Sequence, residues 1–416
     1  MSNSGFKKVS IIGLGYIGLP TAAMFASRGL DVIGVDVSEQ TVETINQGKI
    51  HIIEPDLDMI VQSAVTLGKL KATTTPEPAD AFLIAVPTPF IDDHQPDLSF
   101  IEAAAKSIAP VLEKGNLVIL ESTIPVGATE KLAKWLQAER RDLSFPQTAS
   151  DAADVQIAHC PERVLPGYVM QELVINDRII GGMTPYCAER AESLYQLFVK
   201  GDCHLTDART AELAKLTENS FRDVNIAFAN ELSLISDELD INVWDLIQLA
   251  NKHPRVNILS PGPGVGGHCI AVDPWFIVSS APKSAKLIRT ARQINDAKPK
   301  HVVQQIREAA SQFKTPVIAC MGLSFKADID DLRESPALDI TLELAKSKVG
   351  QILAVEPNIQ KLPADLQNAG IVLIDQDAAL EQANIIVALV DHKPFKKLKK
   401  SKLNSKILID TRGIWQ

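Results

Sequence analysis

The chain has 416 residues, of which 46% are hydrophobic and 22% charged, and its formal net charge is −9. This length exceeds what one hydrophobic core serves and indicates two or three domains. No apolar run approaches the ~20 residues of a membrane-spanning helix and no secretory signal opens the chain, so we expect a cytoplasmic protein without a membrane partner. The negative charge argues against general affinity for nucleic acid.

The five cysteines are spaced widely and irregularly, which predicts neither a disulfide framework nor a zinc site. We therefore expect no bound metal. Cys269 differs from the others because it lies in a glycine-rich loop from Pro261 to Pro274. Beside a nucleotide-binding signature, a thiol in such a loop is a candidate nucleophile that captures an aldehyde. The remaining four are expected to be ordinary buried residues: Cys160, Cys187, Cys203 and Cys320.

The first 200 residues alternate short β-branched runs with helical stretches, which is typical of a parallel sheet flanked by helices. A helix is predicted from Leu19 to Arg28, closed by Gly29. The predicted strands run from Val9 to Ile12, Val32 to Asp36, Ala81 to Val86, Leu117 to Glu121 and Ile157 to Cys160.

From about Thr206 the pattern becomes helical, with the longest helical segment from Thr210 to Asp237 and another from Ala281 to Phe313. Alternation then resumes, and the segment from Ala383 to Val390 resembles that from Ala79 to Val86, which suggests similar sheets at both ends of the chain. The later predicted strands run from Val317 to Met321, Ile352 to Val355, Ile371 to Ile374, Ile385 to Val390 and Lys406 to Asp410.

These patterns predict the α/β class, with two Rossmann-like doubly wound domains joined by a central helical domain. The predicted boundaries are residues 1–205, 206–300 and 301–416.

A dinucleotide signature follows the first predicted strand and opens the first helix. Gly13 allows the tight turn, Gly15 lets the backbone approach a pyrophosphate, and Gly18 lets helix and strand pack closely. Asp36, 18 residues further on, would accept hydrogen bonds from the adenosine ribose and repel a 2′-phosphate. We therefore predict NAD rather than NADP, held by this turn: Gly13, Gly15, Tyr16, Ile17, Gly18 and Asp36.

In a doubly wound sheet the cofactor lies across the carboxyl ends of the strands. Two predicted strands end there in short polar loops, which are expected to face the NAD, although ordinary turn chemistry would explain the same residues. The loop residues are Val86, Pro87, Thr88, Ser122 and Thr123.

Four further motifs follow the glycine signature in a fixed order. Together they resemble the UDP-glucose/GDP-mannose dehydrogenase family over nearly the whole chain, and within it the branch that oxidises UDP-N-acetyl-D-mannosamine. Val272 departs from the UDP-glucose enzymes, which commonly have a lysine there, and Pro166 stands where they usually have an acidic residue. The motifs are Glu121 to Gly127, Pro161 to Arg163, the Cys269 loop and Gly322 to Lys326.

The resemblance implies a catalytic set around Cys269. Lys215 and Asn219 are four residues apart on one predicted helix face and would stabilise the alkoxide and the tetrahedral oxyanions. Asp273 and Glu162 would handle the hydrolytic water, with Thr123 helping to hold it. Without the resemblance, the same residues would be a solvated helix face, a loop-capping carboxylate and an ion pair of Glu162 with Arg163.

The resemblance implies that the last domain holds the nucleotide half of the substrate. Lys326 would contact the UDP phosphates and Arg333 the nicotinamide region, although salt bridges with Asp330 and Asp331 are an alternative. Arg255 matches an arginine that family members lend to a neighbouring subunit, so we expect a homodimer or larger homo-oligomer. The substrate-binding residues implied are Arg163, Val164, Leu165, Lys215, Asn219, Arg222, Arg255, Gly266, Phe325 and Lys326.

The implied reaction is a four-electron, NAD-dependent oxidation of UDP-N-acetyl-D-mannosamine at carbon 6, through a cysteine thiohemiacetal and thioester, for surface polysaccharide synthesis. UDP-N-acetylglucosamine and UDP-glucose are rival substrates. A single-step hydroxyacid dehydrogenase and a non-catalytic nucleotide-sensing protein are alternatives from other classes. His268 beside Cys269 could suggest a metal site or a protease, but no further ligands have matching spacing.

Overall fold

The computed structural model describes residues 5–165, 167–267 and 269–415, without the side chains of Asp92 and Lys400. The chain forms two compact units, which we call the N-terminal unit (Met1–Thr217) and the C-terminal unit (Glu218–Gln416). The three-domain division stays a prediction. Among the described residues, no helix has both the length and the apolar character needed to cross a membrane.

The N-terminal unit alternates strands and helices as predicted. Its elements are β1 Lys8–Ile12, α1 Gly18–Ser27, β2 Asp31–Val35, α2 Glu39–Asn46, α3 Leu57–Thr66, β3 Leu70–Thr73, β4 Ala81–Ile84, β5 Phe90–Ile91, β6 Gln95–Pro96, α4 Ser99–Ile108, β7 Leu117–Leu120, α5 Ala128–Glu139, α6 Pro146–Ala149, β8 Gln156–His159, α7 Val169–Ile175, β9 Arg178–Gly182, α8 Pro185–Tyr195 and β10 Cys203–Asp207. Helix α9, Ala208–Glu238, begins in this unit.

The C-terminal unit contains the remaining elements. They are α10 Val243–Ala250, α11 Asp273–Ser280, α12 Lys286–Ala310, β11 Val317–Met321, α13 Pro336–Lys346, β12 Gln351–Val355, α14 Ala364–Asn368, β13 Val372–Leu373, α15 Gln376–Gln382, β14 Ile385–Ala388, α16 Lys393–Lys396 and β15 Ile407–Asp410. The predicted helix from Ala281 to Phe313 is shorter in the structure, since residues 281–285 form a hydrogen-bonded turn after α11 and α12 ends at Ala310.

The large sheet has the strand order β10-β9-β8-β7-β4-β1-β2-β3. Two hydrophobic clusters form the packing on its two faces. All its pairs are parallel except that of β8 with β9. Sequence patterns missed three of its strands. β9 begins with an arginine and ends in two glycines, β10 is an edge strand with exposed polar residues, and β3 carries an exposed lysine.

The smaller sheet has the order β13-β12-β11-β14-β15 and its pairs are all parallel. This repeats the order β3-β2-β1-β4-β7 of the N-terminal unit. The two similar segments seen in the sequence contain β4 and β14, which occupy equivalent places beside β1 and β11. The predicted fold class, with two Rossmann-like sheets and a helical region between them in sequence, is therefore confirmed.

Candidate active site

The turn between β1 and α1 requires its glycines. Gly13 has a φ of +94° and its N–H donates to the Val35 carbonyl at 2.8 Å, while a Cβ added there would lie 2.6 Å from the Ala85 carbonyl oxygen. A Cβ on Gly18 would lie 1.8 Å from the Gly13 oxygen. Nothing lies within 4 Å of a Cβ position on Gly15, so the second glycine faces open space. This arrangement leaves room for a pyrophosphate at the start of α1.

Asp36 follows β2 and is tied to the turn. Its carboxylate accepts hydrogen bonds from the Leu14 N–H at 3.0 Å and the Ser38 N–H at 2.9 Å, and the residue is only half-buried. Tyr16 is exposed and Ile17 half-buried on the same turn. The glycine turn and its acidic partner therefore fit an NAD molecule, which would rest its pyrophosphate on the turn and its ribose against Asp36.

The loops after β4 and β7 are joined by hydrogen bonds. The Thr88 hydroxyl donates to the Thr123 carbonyl at 2.6 Å, and the Ser122 hydroxyl donates to the Val86 carbonyl at 2.6 Å. Pro87, which lies between Val86 and Thr88 in the sequence, is exposed. Because β4 lies next to β1, these loops stand at the carboxyl edge of the sheet on the side of the glycine turn. The structure thus places the predicted cofactor-facing residues together.

Glu162 has a buried partner that the sequence did not reveal. Its carboxylate lies 2.6 Å from Nη1 of Arg178, the first residue of β9, and only 6% of its side chain is exposed. The Glu162 carboxylate is therefore not at the surface, and Arg163 donates its backbone N–H to Glu162 and its guanidinium to the Asp177 carbonyl.

The loop after Glu162 is anchored by backbone hydrogen bonds. Leu165 donates its N–H to Glu172 at 2.7 Å, and a buried carboxylate, Glu54, accepts from the N–H groups of Gly167 and Val169 at 2.8 Å each. Val164 packs against the core, and Arg163 lines a groove of about 350 Å³. Pro166 lies outside the described residues.

Helix α9 carries three residues of the predicted site. Lys215 and Asn219 lie one turn apart and both are buried, so the alternative of a solvated helix face is wrong for this pair. Arg222 is exposed. In the N-terminal unit α9 is fixed by Glu212, whose carboxylate accepts from the N–H groups of Gly127 and Thr129 at the start of α5.

Within the C-terminal unit, Asn219 meets Asp273. The Asn219 amide donates to the Asp273 carboxylate at 2.6 Å, and both residues are buried. Cys269 is exposed one turn earlier, and its carbonyl accepts the Asp273 N–H at 3.0 Å. The thiol therefore stands just before the N-terminus of α11, where peptide dipoles favour a negative charge.

A chain of buried polar side chains holds both ends of the Cys269 loop. Arg292 of α12 pairs with Asp223 and donates to the Ile270 carbonyl at 3.5 Å. Asn295 donates to Asp223 at 2.8 Å and accepts from Asn230, which in turn accepts the Gly262 N–H at 2.9 Å. We call these four side chains, Asp223, Asn230, Arg292 and Asn295, the loop clamp. Burial raises the pKa of Asp223 to about 6, against the lowering by Arg292.

The glycines of the loop allow close packing against the segment that precedes α13. A Cβ on Gly266 would lie 2.5 Å from the Glu334 carbonyl oxygen and 2.6 Å from Pro336, and Gly267 donates its N–H to Glu334. Phe325 packs beside both glycines. His268 lies outside the described residues.

The cations of this segment are exposed. Lys326 follows Phe325, and Arg333 donates to both carboxylate oxygens of Asp331, at 2.9 and 2.6 Å, which is the salt bridge named as the alternative. Ser335 caps α13 by accepting the Leu338 N–H at 3.4 Å, and Arg255 is exposed after α10. Among the described residues, no group of three or more His, Cys, Asp or Glu side chains could hold a metal ion.

Comparison with known proteins gives three consecutive family matches. The UDP-glucose/GDP-mannose dehydrogenase family is matched by its NAD binding domain at residues 7–199, its central domain at 209–297 and its UDP binding domain at 319–416. The chain belongs to this family. It is accordingly an NAD-dependent oxidoreductase of the nucleotide-sugar dehydrogenases, and the predictions of family and cofactor are confirmed.

Individual named proteins are also similar to this chain. An NDP-N-acetyl-D-galactosaminuronic acid dehydrogenase of Ralstonia nicotianae is 65% identical, covering 99% of this chain and 96% of the relative. A UDP-N-acetyl-D-mannosamine dehydrogenase of Yersinia pestis is 62% identical, covering 99% and 100%. A solved UDP-N-acetyl-mannosamine dehydrogenase from S. aureus has a TM-score of 0.86 at 44% identity and covers 98% of this chain and 95% of its own.

Sequence patterns did not indicate several charged residues that hold the site of this dehydrogenase in place. Glu212, Asp223 and Arg292 are charged residues inside helical patterns, where a solvated position is the usual interpretation. Arg178 opens a strand that was not recognised. The roles assigned to individual site residues stay predictions.

Proposed function

We propose that this dehydrogenase oxidises carbon 6 of UDP-N-acetyl-D-mannosamine to the carboxylate, consuming two NAD per sugar. The main support is the placement of an exposed Cys269 next to the hydrogen-bonded pair Asn219 and Asp273. Relatives above 60% identity act, by name, on N-acetylated sugars or their uronic acids. A role in surface polysaccharide synthesis and a cytoplasmic location stay predictions.

The proposed sequence of steps assigns the chain's residues as follows. NAD, when bound at the glycine turn, supplies the hydride acceptor for each oxidation. Lys215 and Asn219 stabilise the negative charge on the substrate oxygen, and Cys269 adds to the aldehyde carbon to give a thiohemiacetal, which is oxidised to a thioester. Glu162 takes a proton from the water that releases the acid, with Asp273 and Thr123 orienting that water.

The second candidate substrate is the isomer with the galacto configuration. The 65% identity with the Ralstonia nicotianae protein favours it, since that protein is named for N-acetyl-D-galactosaminuronic acid. Both candidate sugars are N-acetylhexosamines. Val272 differs from the lysine that is common in UDP-glucose enzymes, so this residue does not distinguish between the two candidates.

Turnover on a panel of UDP-sugars tests the proposal. We expect two NADH per molecule of UDP-N-acetylmannosamine, and no uronate from Cys269→Ala although NAD still binds. Cys203→Ala, in an edge strand, is the matched control and should keep full activity. One NADH per sugar, or uronate formation by Cys269→Ala, would contradict the mechanism, and preference for another UDP-sugar would change only the substrate.

We also propose that the chain works as a homodimer. In the C-terminal unit, α9 exposes three large apolar side chains seven residues apart, Phe221, Phe228 and Ile235. A row of this kind is typical of a helix that packs against another chain. Arg255, also exposed, would reach the neighbour's sugar. Light scattering should give twice the chain mass, and Phe228→Asp should give monomers.

A further inference from the structure

Two carboxylates and one guanidinium are buried together inside the N-terminal unit. Glu121, at the end of β7, accepts the Tyr195 hydroxyl at 2.6 Å, and its second oxygen has no hydrogen-bond partner among the described residues. Arg178 lies 2.6 Å from Glu162 and places its guanidinium carbon 4.7 Å from the centre of the Tyr195 ring. We call Glu121, Glu162, Arg178 and Tyr195 the carboxylate cluster. The proposed steps use only Glu162.

Two neighbouring side chains, His159 and Cys160, are uncharged near neutral pH. His159 donates its Nδ1 hydrogen to the Leu120 carbonyl at 2.7 Å, and burial lowers its pKa to about 4, so its ring is neutral. Burial raises the pKa of the Cys160 thiol to about 12, which keeps it protonated. Burial opposes the charge of Arg178, yet the carboxylate of Glu162 holds the pKa of Arg178 above its ordinary value. Within the carboxylate cluster itself, Arg178 is thus the cation that two acids share.

Glu121 gains a proton near neutrality. Burial raises its pKa to about 7, and the charge of Glu162 adds to the rise, while Arg178 and the Tyr195 hydroxyl lower it. The pKa of Tyr195 is itself raised by burial, so its hydroxyl stays a donor. The charge state of Glu121 thus changes near pH 7.

We propose that Glu121 is a positioning residue that sets the basicity of Glu162 through the shared charge of Arg178. This inference rests on the proposed role of Glu162 in thioester hydrolysis. With Glu121 neutral, Arg178 neutralises Glu162 alone and makes its carboxylate a weak base. With Glu121 ionised, the guanidinium serves two carboxylates, and Glu162 accepts a proton more readily.

The step affected is the release of the acid. One proton of the water passes to Glu162, the water oxygen bonds to the thioester carbonyl carbon, and the C–S bond breaks with Cys269 leaving as the thiolate. No electrons move to or from the cofactor in this step. Glu121 should therefore influence hydrolysis and leave both hydride transfers unchanged.

The test is a single-turnover experiment with UDP-N-acetylmannosamine and NAD at pH 6 to 9. NADH absorbance reports the hydride transfers, and acid quenching followed by intact mass reports the thioester on Cys269. In Glu121→Gln we expect hydrolysis to slow roughly 3- to 10-fold at pH 8 and less than 2-fold at pH 6, following the Brønsted dependence of general-base catalysis. The thioester should accumulate, and the wild-type change of rate near pH 7 should disappear.

Tyr195→Phe provides a second, independent test of the role of Glu121. Loss of the hydroxyl that stabilises the ionised Glu121 should move the midpoint of the hydrolysis rate to higher pH without abolishing it. Glu189→Gln, an exposed change on the same helix α8, is the matched control and should behave as wild type.

Two results would overturn the inference: an unchanged pH midpoint in Glu121→Gln, or an equal loss of hydride transfer and hydrolysis, which would indicate a merely structural role. If the wild-type enzyme makes no uronate from any UDP-sugar, the proposed function fails as well. Wild-type uronate with an unaltered Glu121→Gln profile would reject the role of Glu121 alone.

Discussion

Removal of Arg292 from the loop clamp should destabilise the protein in a pH-dependent way. The Arg292 side chain is 1% exposed and that of Asp223 is 0% exposed, so Arg292→Met leaves a buried carboxylate without its cation. Such a loss costs about 3–5 kcal/mol when the remaining group is charged. Asp223 escapes part of this cost when it takes up a proton.

The direction of the pH effect follows from the raised pKa of Asp223, about 6 in the folded protein against an ordinary value of 3.8. Between these values the folded state binds the proton more tightly, so stability falls as the pH rises from about 4 to 6, by at most about 3 kcal/mol. Without Arg292, which lowers this pKa, the fall should extend to higher pH. We expect a loss of about 3–5 kcal/mol at pH 8 and less than half of that at pH 5.

Urea unfolding of wild type and Arg292→Met at pH 5 and pH 8 measures the effect. The double variant Arg292→Met with Asp223→Asn should recover most of the lost stability at pH 8, because no charge is then buried. Lys300→Met, exposed on the same helix, is the control and should change stability by no more than about 0.5 kcal/mol. An equal loss at both pH values, or no recovery in the double variant, would refute the reasoning.

Two predictions concern the ligand sites. Asp36→Ala removes the charge expected to repel a 2′-phosphate, so the ratio of kcat/KM for NADP over NAD should rise at least about 10-fold, whereas Asp31→Ala, exposed at the start of β2, should leave it unchanged; an unaltered ratio in Asp36→Ala would separate Asp36 from cofactor choice. Asn219→Ala should lower kcat by about 10- to 1,000-fold with unchanged NAD affinity, since it removes the proposed oxyanion donor and the partner of Asp273. Asn225→Ala, a half-buried change on the same helix at an amide that donates to the Phe221 carbonyl, should match wild type. Activity within 2-fold of wild type in Asn219→Ala would exclude the assigned role.

The sequence revealed the parts of the site that depend on local geometry. The turn at Gly13 and the place of Asp36 after β2 could be predicted because a tight turn and the residue at the end of the next strand leave a local signature, while their contacts with NAD stay predictions. The shared helix face of Lys215 and Asn219 follows from spacing alone. Their burial does not, because a helix pattern with charged residues is compatible with either a solvated or a packed face.

Partners distant in the chain were not predictable. The carboxylate of Glu162 pairs with Arg178 because β8 and β9 run antiparallel, which is an exception within a parallel sheet. The sequence of β9, which ends in two glycines, does not indicate this antiparallel pairing. Asp223 and Arg292 are 69 residues apart on two helices, and nothing in either helix marks the other as its partner. Such pairs depend on tertiary packing, which one sequence does not encode in any short pattern.

The two Rossmann-like turns show how one local design serves two ligand-binding domains. In the C-terminal unit Gly322 has a φ of +97° and donates to the Val355 carbonyl at 2.8 Å, as Gly13 does to Val35. Leu323 donates its N–H to Glu356 at 2.8 Å, in the way Leu14 donates to Asp36.

The difference lies in the acidic residue. The Glu356 carboxylate is buried and takes a further contact from the ring of His392 at 3.0 Å, whereas Asp36 is half-buried and, within the described part of the chain, accepts hydrogen bonds from backbone N–H groups only. An acid that is already enclosed by a histidine is not available to a ribose, so the second turn keeps the geometry of a dinucleotide site without its ribose acceptor. The difference parallels the family matches, in which the NAD binding domain covers the first turn and the UDP binding domain covers the second.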